Sequence, residues 1–96
     1  MMDVDQLMTI VREEGLDQPV LEGHGVLRNE AVVLEHEGSG WTVFLANKRG
    51  GRISSTVHEF ESRSDALEYV LEKLRQTARA REAMARLRAR RAAADG

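Results

Sequence analysis

Ala31-Val32-Val33-Leu34-Glu35-His36-Glu37-Gly38-Ser39-Gly40-Trp41-Thr42-Val43-Phe44-Leu45-Ala46-Asn47 decides how this 96-residue chain folds. Glu30 to Glu37 holds the β-rich run Ala31–Leu34 and ends at the Gly38-Ser39-Gly40 turn signal. From Trp41 to Asn47 the side chains alternate. Trp41, Val43 and Leu45 take one face, and Thr42, Phe44 and Ala46 take the other. Lys48-Arg49-Gly50-Gly51 reads as a turn, because paired glycines supply positive φ without steric cost. A third strand follows over Arg52 to Phe60, with Ile53 and Val57 on one side and His58 and Phe60 on the other. Two short glycine-containing connections make the unit an antiparallel meander.

Helices are expected on either side of it. Over residues 3–14, Val4, Leu7, Met8 and Val11 keep the helical spacing, with Ile10 widening the stripe. Asp3 and Gln6 have capping-box spacing, and Gly15 suits a left-handed C′ residue. Asp17-Gln18-Pro19 forbids continuation. Val20-Leu21 and Val26-Leu27 are apolar pairs around Glu22-Gly23-His24-Gly25, read as a loop with a short strand around Val26-Leu27. Ser62-Arg63-Ser64-Asp65 opens a second helix whose stripe is Leu67, Val70, Leu71, Leu74 and Ala78, with Tyr69 beside it. Alanine and arginine carry that helix on to about residue 91. The expected fold is α+β: helix-strand-strand-strand-helix, a three-stranded antiparallel meander and a long C-terminal helix. It divides into a single domain over 1–78 and a basic Ala/Arg-rich extension, helical or frayed, over 79–96.

Hydrophobic residues are 42% and charged residues 31%, a balance that suits a folded globule rather than a disordered chain. There is no cysteine, which removes disulfides, thiolate metal sites and cysteine nucleophiles together. No stretch approaches the roughly 20 apolar residues that span a bilayer, and Met1-Met2-Asp3-Val4-Asp5 lacks the features of a signal peptide. A cytoplasmic location is therefore expected.

The net charge of −2 hides a split. Residues 1–74 carry seven Lys/Arg against fourteen Asp/Glu, a net of −7; residues 75–96 carry seven arginines against Glu82 and Asp95, a net of +5. An acidic body repels nucleic acid and attracts basic surfaces, and a basic tail does the reverse.

No catalytic, cofactor or metal residue is expected. His24, His36 and His58 match no zinc spacing, and read as surface histidines on half-solvated segments. Ser54-Ser55-Thr56 lacks a nucleophile elbow. The glycine pairs are turn chemistry, since no phosphate-loop motif leads from a strand into a helix. Trp41 reads as a core anchor ahead of an interface hot spot. An enzyme-class alternative, a small hydrolase using His and Glu, ranks below the binding readings.

Two resemblances emerge from this layout. The element order resembles the double-stranded-RNA-binding domain. That family reads phosphates with a Lys-Lys-x-x-Lys cluster opening its second helix, and here the place is Ser62-Arg63-Ser64-Asp65-Ala66. By motif, Gly40-Trp41-Thr42-Val43-Phe44, then Lys48-Arg49-Gly50-Gly51-Arg52, then Phe60-Glu61-Ser62-Arg63-Ser64-Asp65-Ala66-Leu67-Glu68-Tyr69-Val70-Leu71 resembles small immunity proteins encoded beside bacterial polymorphic toxins. The match spans about residues 40–74. It implies a stoichiometric inhibitor that binds a toxin and blocks its active site, with no catalytic residues to transfer.

The expectation is therefore a non-catalytic protein-binding module, an immunity protein for a cognate toxin with a basic cleft. Glu35, Glu37, Glu59 and Glu61 supply complementary charge, and Arg49 and Arg52 directional contacts at the turn. The alternative is a nucleic-acid-binding accessory protein acting through Arg79, Arg81, Arg86, Arg88, Arg90 and Arg91. A homodimer through the C-terminal helix is a further expectation, because Met84 and Leu87 have nothing in their own chain to cover them.

Overall fold

The computed structural model describes residues 1–26, 30–47, 49 and 51–95. Its elements are α1 (Val4–Glu14), β1 (Val20–Leu21), β2 (Ala31–Glu37), β3 (Gly40–Ala46), a 3-10 turn (Ser54–Thr56), β4 (His58–Phe60) and α2 (Arg63–Asp95). The fold is α+β, with one sheet in the order β1-β2-β3-β4. β2, β3 and β4 form the expected antiparallel meander, with Val33 opposite Phe44, Leu34 opposite Val43 and Trp41 opposite Phe60.

The fourth strand is not where the sequence placed it. Val20 and Leu21 pair in parallel with Val33 and Leu34, so the sheet is mixed. Val26 is exposed and outside any strand, and Leu27 lies outside the described residues. A two-residue strand has no periodicity to read. Val20 and Leu21 point to opposite faces, and each is buried there.

The third expected strand is interrupted. Arg52 bridges Ala46, and Ile53 N–H donates to Leu45 C=O at 2.9 Å. The chain then turns through Ser54–Thr56 before β4 begins. Thr56 makes the break tolerable. Its hydroxyl donates to Ile53 C=O at 2.6 Å and accepts from Leu45 N–H at 2.9 Å, taking the place of a missing ladder partner. Of the Lys48–Gly51 turn, Lys48 and Gly50 lie outside the described residues. Asn47 Oδ1 accepts from both Arg49 N–H and Gly51 N–H at 2.9 Å, a side chain closing the turn.

Alternation divides the sheet's side chains. On one face Leu21, Val32, Leu34 and Val43 pack with Leu7 and Val11 of α1 and with Ala66, Leu67, Val70, Leu71 and Leu74 of α2. On the other, Val20, Ala31, Val33, Phe44 and Ala46 form a smaller cluster with Val57. Burial on both faces explains why Ala31–Leu34 is apolar without a break.

Both helices begin as read. Asp3 and Gln6 make the full capping box, and Gly15 closes α1 at φ 64°. Ser62 Oγ accepts from Asp65 N–H at 3.3 Å at the start of α2. Three ion pairs tie α2 to the preceding chain: Arg63 to Glu22 at 2.6 Å, Arg75 to Glu14 at 2.5 Å and Arg81 to Asp17 at 2.5 Å. No side chain described after Ala78 is buried, yet the helix continues to Asp95. At 33 residues it is about 50 Å long, close to the molecule's longest dimension of 56 Å.

Leu67 is fully buried between sheet and helix. Leu67→Ala is expected to remove about 3 kcal/mol, read as a lower urea midpoint with an unchanged slope. A second expectation concerns acid. The hydrogen bond from Arg75 holds the Glu14 carboxyl below its ordinary value of 4.5. A depressed carboxylate stabilises the fold above the unfolded value and loses that contribution as pH falls through the folded one. Arg75→Gln should therefore be less stable than the parent at neutral pH. The gap between their urea midpoints should close as pH drops below 4.5.

Candidate functional site

The same alternation that fills the core gathers acidic side chains on the sheet's other face. Glu35 of β2, Thr42 of β3 and Glu59 of β4 occupy one cross-strand row, and Glu37 sits opposite Gly40. Glu61 follows directly after β4. Glu37, Glu59 and Glu61 line one open groove of about 440 Å³ together with Ser39, Gly40 and Thr42. Glu35 adjoins it one pleat away, so the fold brings all four expected carboxylates to one region.

Gly40 is structurally required there. A Cβ at this position would lie 2.9 Å from Phe60 C=O, so only glycine lets β3 and β4 close at the groove floor.

Arg52 belongs to this face in a different role from the one expected. Its Nη2 donates to Glu35 at 2.6 Å and also to Glu37. Its guanidinium carbon stands 4.5 Å from the centre of the Phe44 ring. Arg52 thus covers the apolar cluster and gathers two carboxylates rather than reaching outward from the turn. Glu59 and Glu61 make no ion pair among the described residues. Arg49 is exposed on the turn, and its side chain likewise has no ion pair among them.

Trp41 stands at the same end of the sheet on the helix side. It is half-buried against the main core, and its ring stacks on His36 at 4.7 Å with 15° between planes. Its Nε1 is buried with no hydrogen-bond partner among the described residues. Nearby, Glu22 is held below the ordinary carboxylate range, chiefly by the hydrogen bond from Arg63.

One arrangement was not foreseen from the sequence. His58 Nδ1 lies 3.0 Å from Tyr69 Oη and 3.0 Å from Thr56 C=O. Lys73 Nζ stands 5.2 Å from the Tyr69 ring centre. These groups edge a cavity of about 110 Å³ floored by Val32, Val43 and Leu45, room for a few water molecules. The missing signal was the strand break, which sets Thr56 beside His58. Among the described residues no three His, Asp or Glu side chains converge as metal ligands would, and no helix is long and apolar enough to cross a membrane.

The helix arginines do not form a single row. At about 100° per residue, Arg79, Arg86 and Arg90 share one face of α2. Arg81 and Arg88 stand on another, with Arg91 apart from both. Arg81 is engaged by Asp17. Met84 and Leu87 are 51% and 41% exposed between these rows.

Arg52→Ala tests the clamp. It leaves Glu35 and Glu37 as unpaired neighbours and uncovers Phe44. Because Arg52, Glu35 and Glu37 are well solvated, the expected loss is about 1 kcal/mol by urea titration, narrowing as added salt screens the carboxylates. Comparison of the chain with protein-family models, curated proteins and solved structures returned no match.

Proposed function

We propose that this chain is a non-catalytic protein-binding module whose acidic sheet end docks on a basic surface of a protein partner. The observation that carries the reading is the placement of Glu35, Glu37 and Glu59 on one rigid β scaffold, with Glu61 directly after it and, among the described residues, Arg52 pairing with Glu35 and Glu37 alone. Strand pairing fixes the backbone positions of Glu35, Glu37 and Glu59 before a partner arrives, so less ordering cost is left for association. Like charges gathered on one face raise the association rate for a basic surface and reject acidic ones. The net of −7 over residues 1–74 extends the same field across the body.

The finer reading rests on the motif resemblance across residues 40–74. In that reading the partner is a cognate bacterial toxin, and the acidic groove covers its basic cleft and so blocks its active site. Inhibition by occlusion asks for complementarity and slow release rather than chemistry, and needs no nucleophile, base or metal in this chain.

The test is co-expression with the product of the adjacent gene, followed by purification through a tag on this chain. The expected result is a one-to-one complex. Its association slows at least about tenfold in Glu59→Arg/Glu61→Arg, while the circular dichroism of the variant stays that of the parent. A neighbouring product unrelated to secreted effectors, with no complex formed, would count against the toxin reading. A complex that both charge reversals leave untouched would remove the sheet face from the interface.

A further inference from the structure

The exposed face of α2 carries opposite charges in its two halves. Asp65, Glu68 and Glu72 occupy it in the first half, and Arg79, Arg86 and Arg90 in the second; all six are exposed. At about 100° per residue, this face lies about 140° around the helix from the buried stripe of Leu67, Val70, Leu71 and Leu74. It therefore looks away from the sheet. Asp65, Glu72, Arg79 and Arg86 recur every seven residues, so they stay on one face of the helix.

Four of these positions are symmetric about Arg79. Glu72 and Arg86 each stand seven residues from it, and Glu68 and Arg90 each stand eleven residues from it. We infer that α2 pairs with the α2 of a second copy of this chain, antiparallel, with a two-fold axis beside Arg79. In that register Glu72 meets Arg86 of the second copy, and Glu68 meets its Arg90. The symmetry repeats both contacts, as an isologous interface requires. Arg79 meets its own counterpart on the axis, the single like-charge contact against four of opposite charge. A parallel arrangement sets acid beside acid and base beside base, so the charge order selects the antiparallel one.

The flank of this face supports the same occupant. Ala80 and Ala83 are small enough for close approach. Leu87 and Met84, the exposed apolar side chains of the distal helix, lie along one margin. In the antiparallel register Leu87 comes level with the second copy's Tyr69 and Lys73, which continue that margin in the first half. Within one chain Arg86 reaches Glu82 only at 3.8 Å, Glu72 takes one 3.5 Å hydrogen bond from Gln76, Arg79 is within electrostatic reach of Glu14, and Glu68 borders α1 at Gln6 and Ile10. The inference uses a surface separate from the sheet face and stands whether or not that face binds a toxin.

Sedimentation velocity on the full chain decides it, at about 50 mM and about 0.5 M salt, where screening lengths differ several-fold. The expected result is a dimer at the lower salt that weakens at the higher. Glu68→Arg/Glu72→Arg and Arg86→Glu/Arg90→Glu should each be monomeric alone, and their equimolar mixture should recover the dimer, because each supplies the charge the other lacks. Arg79→Gln should tighten association, since it removes the like-charge contact on the axis. That variant and the salt series on the parent decide the matter even if a charge-reversed chain fails to fold. A parent chain that stays monomeric at both salts would overturn the inference, as would a mixture of folded double variants that fails to associate. Weaker association in Arg79→Gln, or a monomeric parent whose distal helix retards a DNA duplex, would overturn it too.

Discussion

Leu34 and Val43 face each other across β2 and β3, buried beneath the α2 stripe that includes Leu67. Everything else in the molecule follows from which way those two side chains point. In a strand a shift of one residue reverses every side chain. With Leu34 inward, Val33 and Glu35 must point outward; with Val43 inward, Thr42 and Phe44 must do so. The helix-side core and the acidic outer end are therefore one decision made by the pleat. Burying Leu67, Val70, Leu71 and Leu74 likewise leaves the face carrying Glu68, Glu72 and Arg79 in solvent.

The parts of this design that repeat were legible in the sequence. Alternation over Trp41–Ala46 gave both faces of β3, helical spacing gave the buried stripes of α1 and α2, and Asp3, Gln6 and Gly15 marked the ends of α1. The parts that do not repeat were illegible. Val20-Leu21 is too short to show a period, and its partner is ten or more residues downstream, so its parallel pairing is a tertiary fact. The interruption at Ser54–Thr56 depends on one hydroxyl replacing a ladder bond. Strand propensity in Ile53, Thr56 and Val57 gives no warning of that. The four carboxylates could be named from parity, but Arg52 as the clamp on Glu35 and Glu37 could not. Its reach across Phe44 to Glu35 and Glu37 exists only once β2, β3 and the segment after the turn lie side by side.

Charge is organised at two scales. Across the chain an acidic body precedes a basic helix end. Locally, arginines take carboxylates from the neighbouring element: Arg63 with Glu22, Arg75 with Glu14, Arg81 with Asp17 and Arg52 with Glu35 and Glu37. Such solvated pairs add little stability each, and their consequence is placement. They hold α1, the β1 loop and the acidic row where the apolar core puts them. Among the described residues Glu59, at the edge of the sheet, and Glu61, just after it, make no ion pair, and on α2 Arg86 reaches only Glu82 at 3.8 Å. The molecule thus presents two charged surfaces of different kind, a mainly acidic sheet end holding Arg52 and a helix face that is acidic in its first half and basic in its second.

In the proposed reading, the sheet's outward acidic end is the surface that meets a partner. Amide chemical shifts of the labelled chain, followed as the captured partner is added, test it most directly. The largest changes are expected on Glu35, Glu37, Thr42, Glu59 and Glu61, with the helix-side core unmoved. Changes confined to residues 79–95, with the acidic row unaffected, would contradict it.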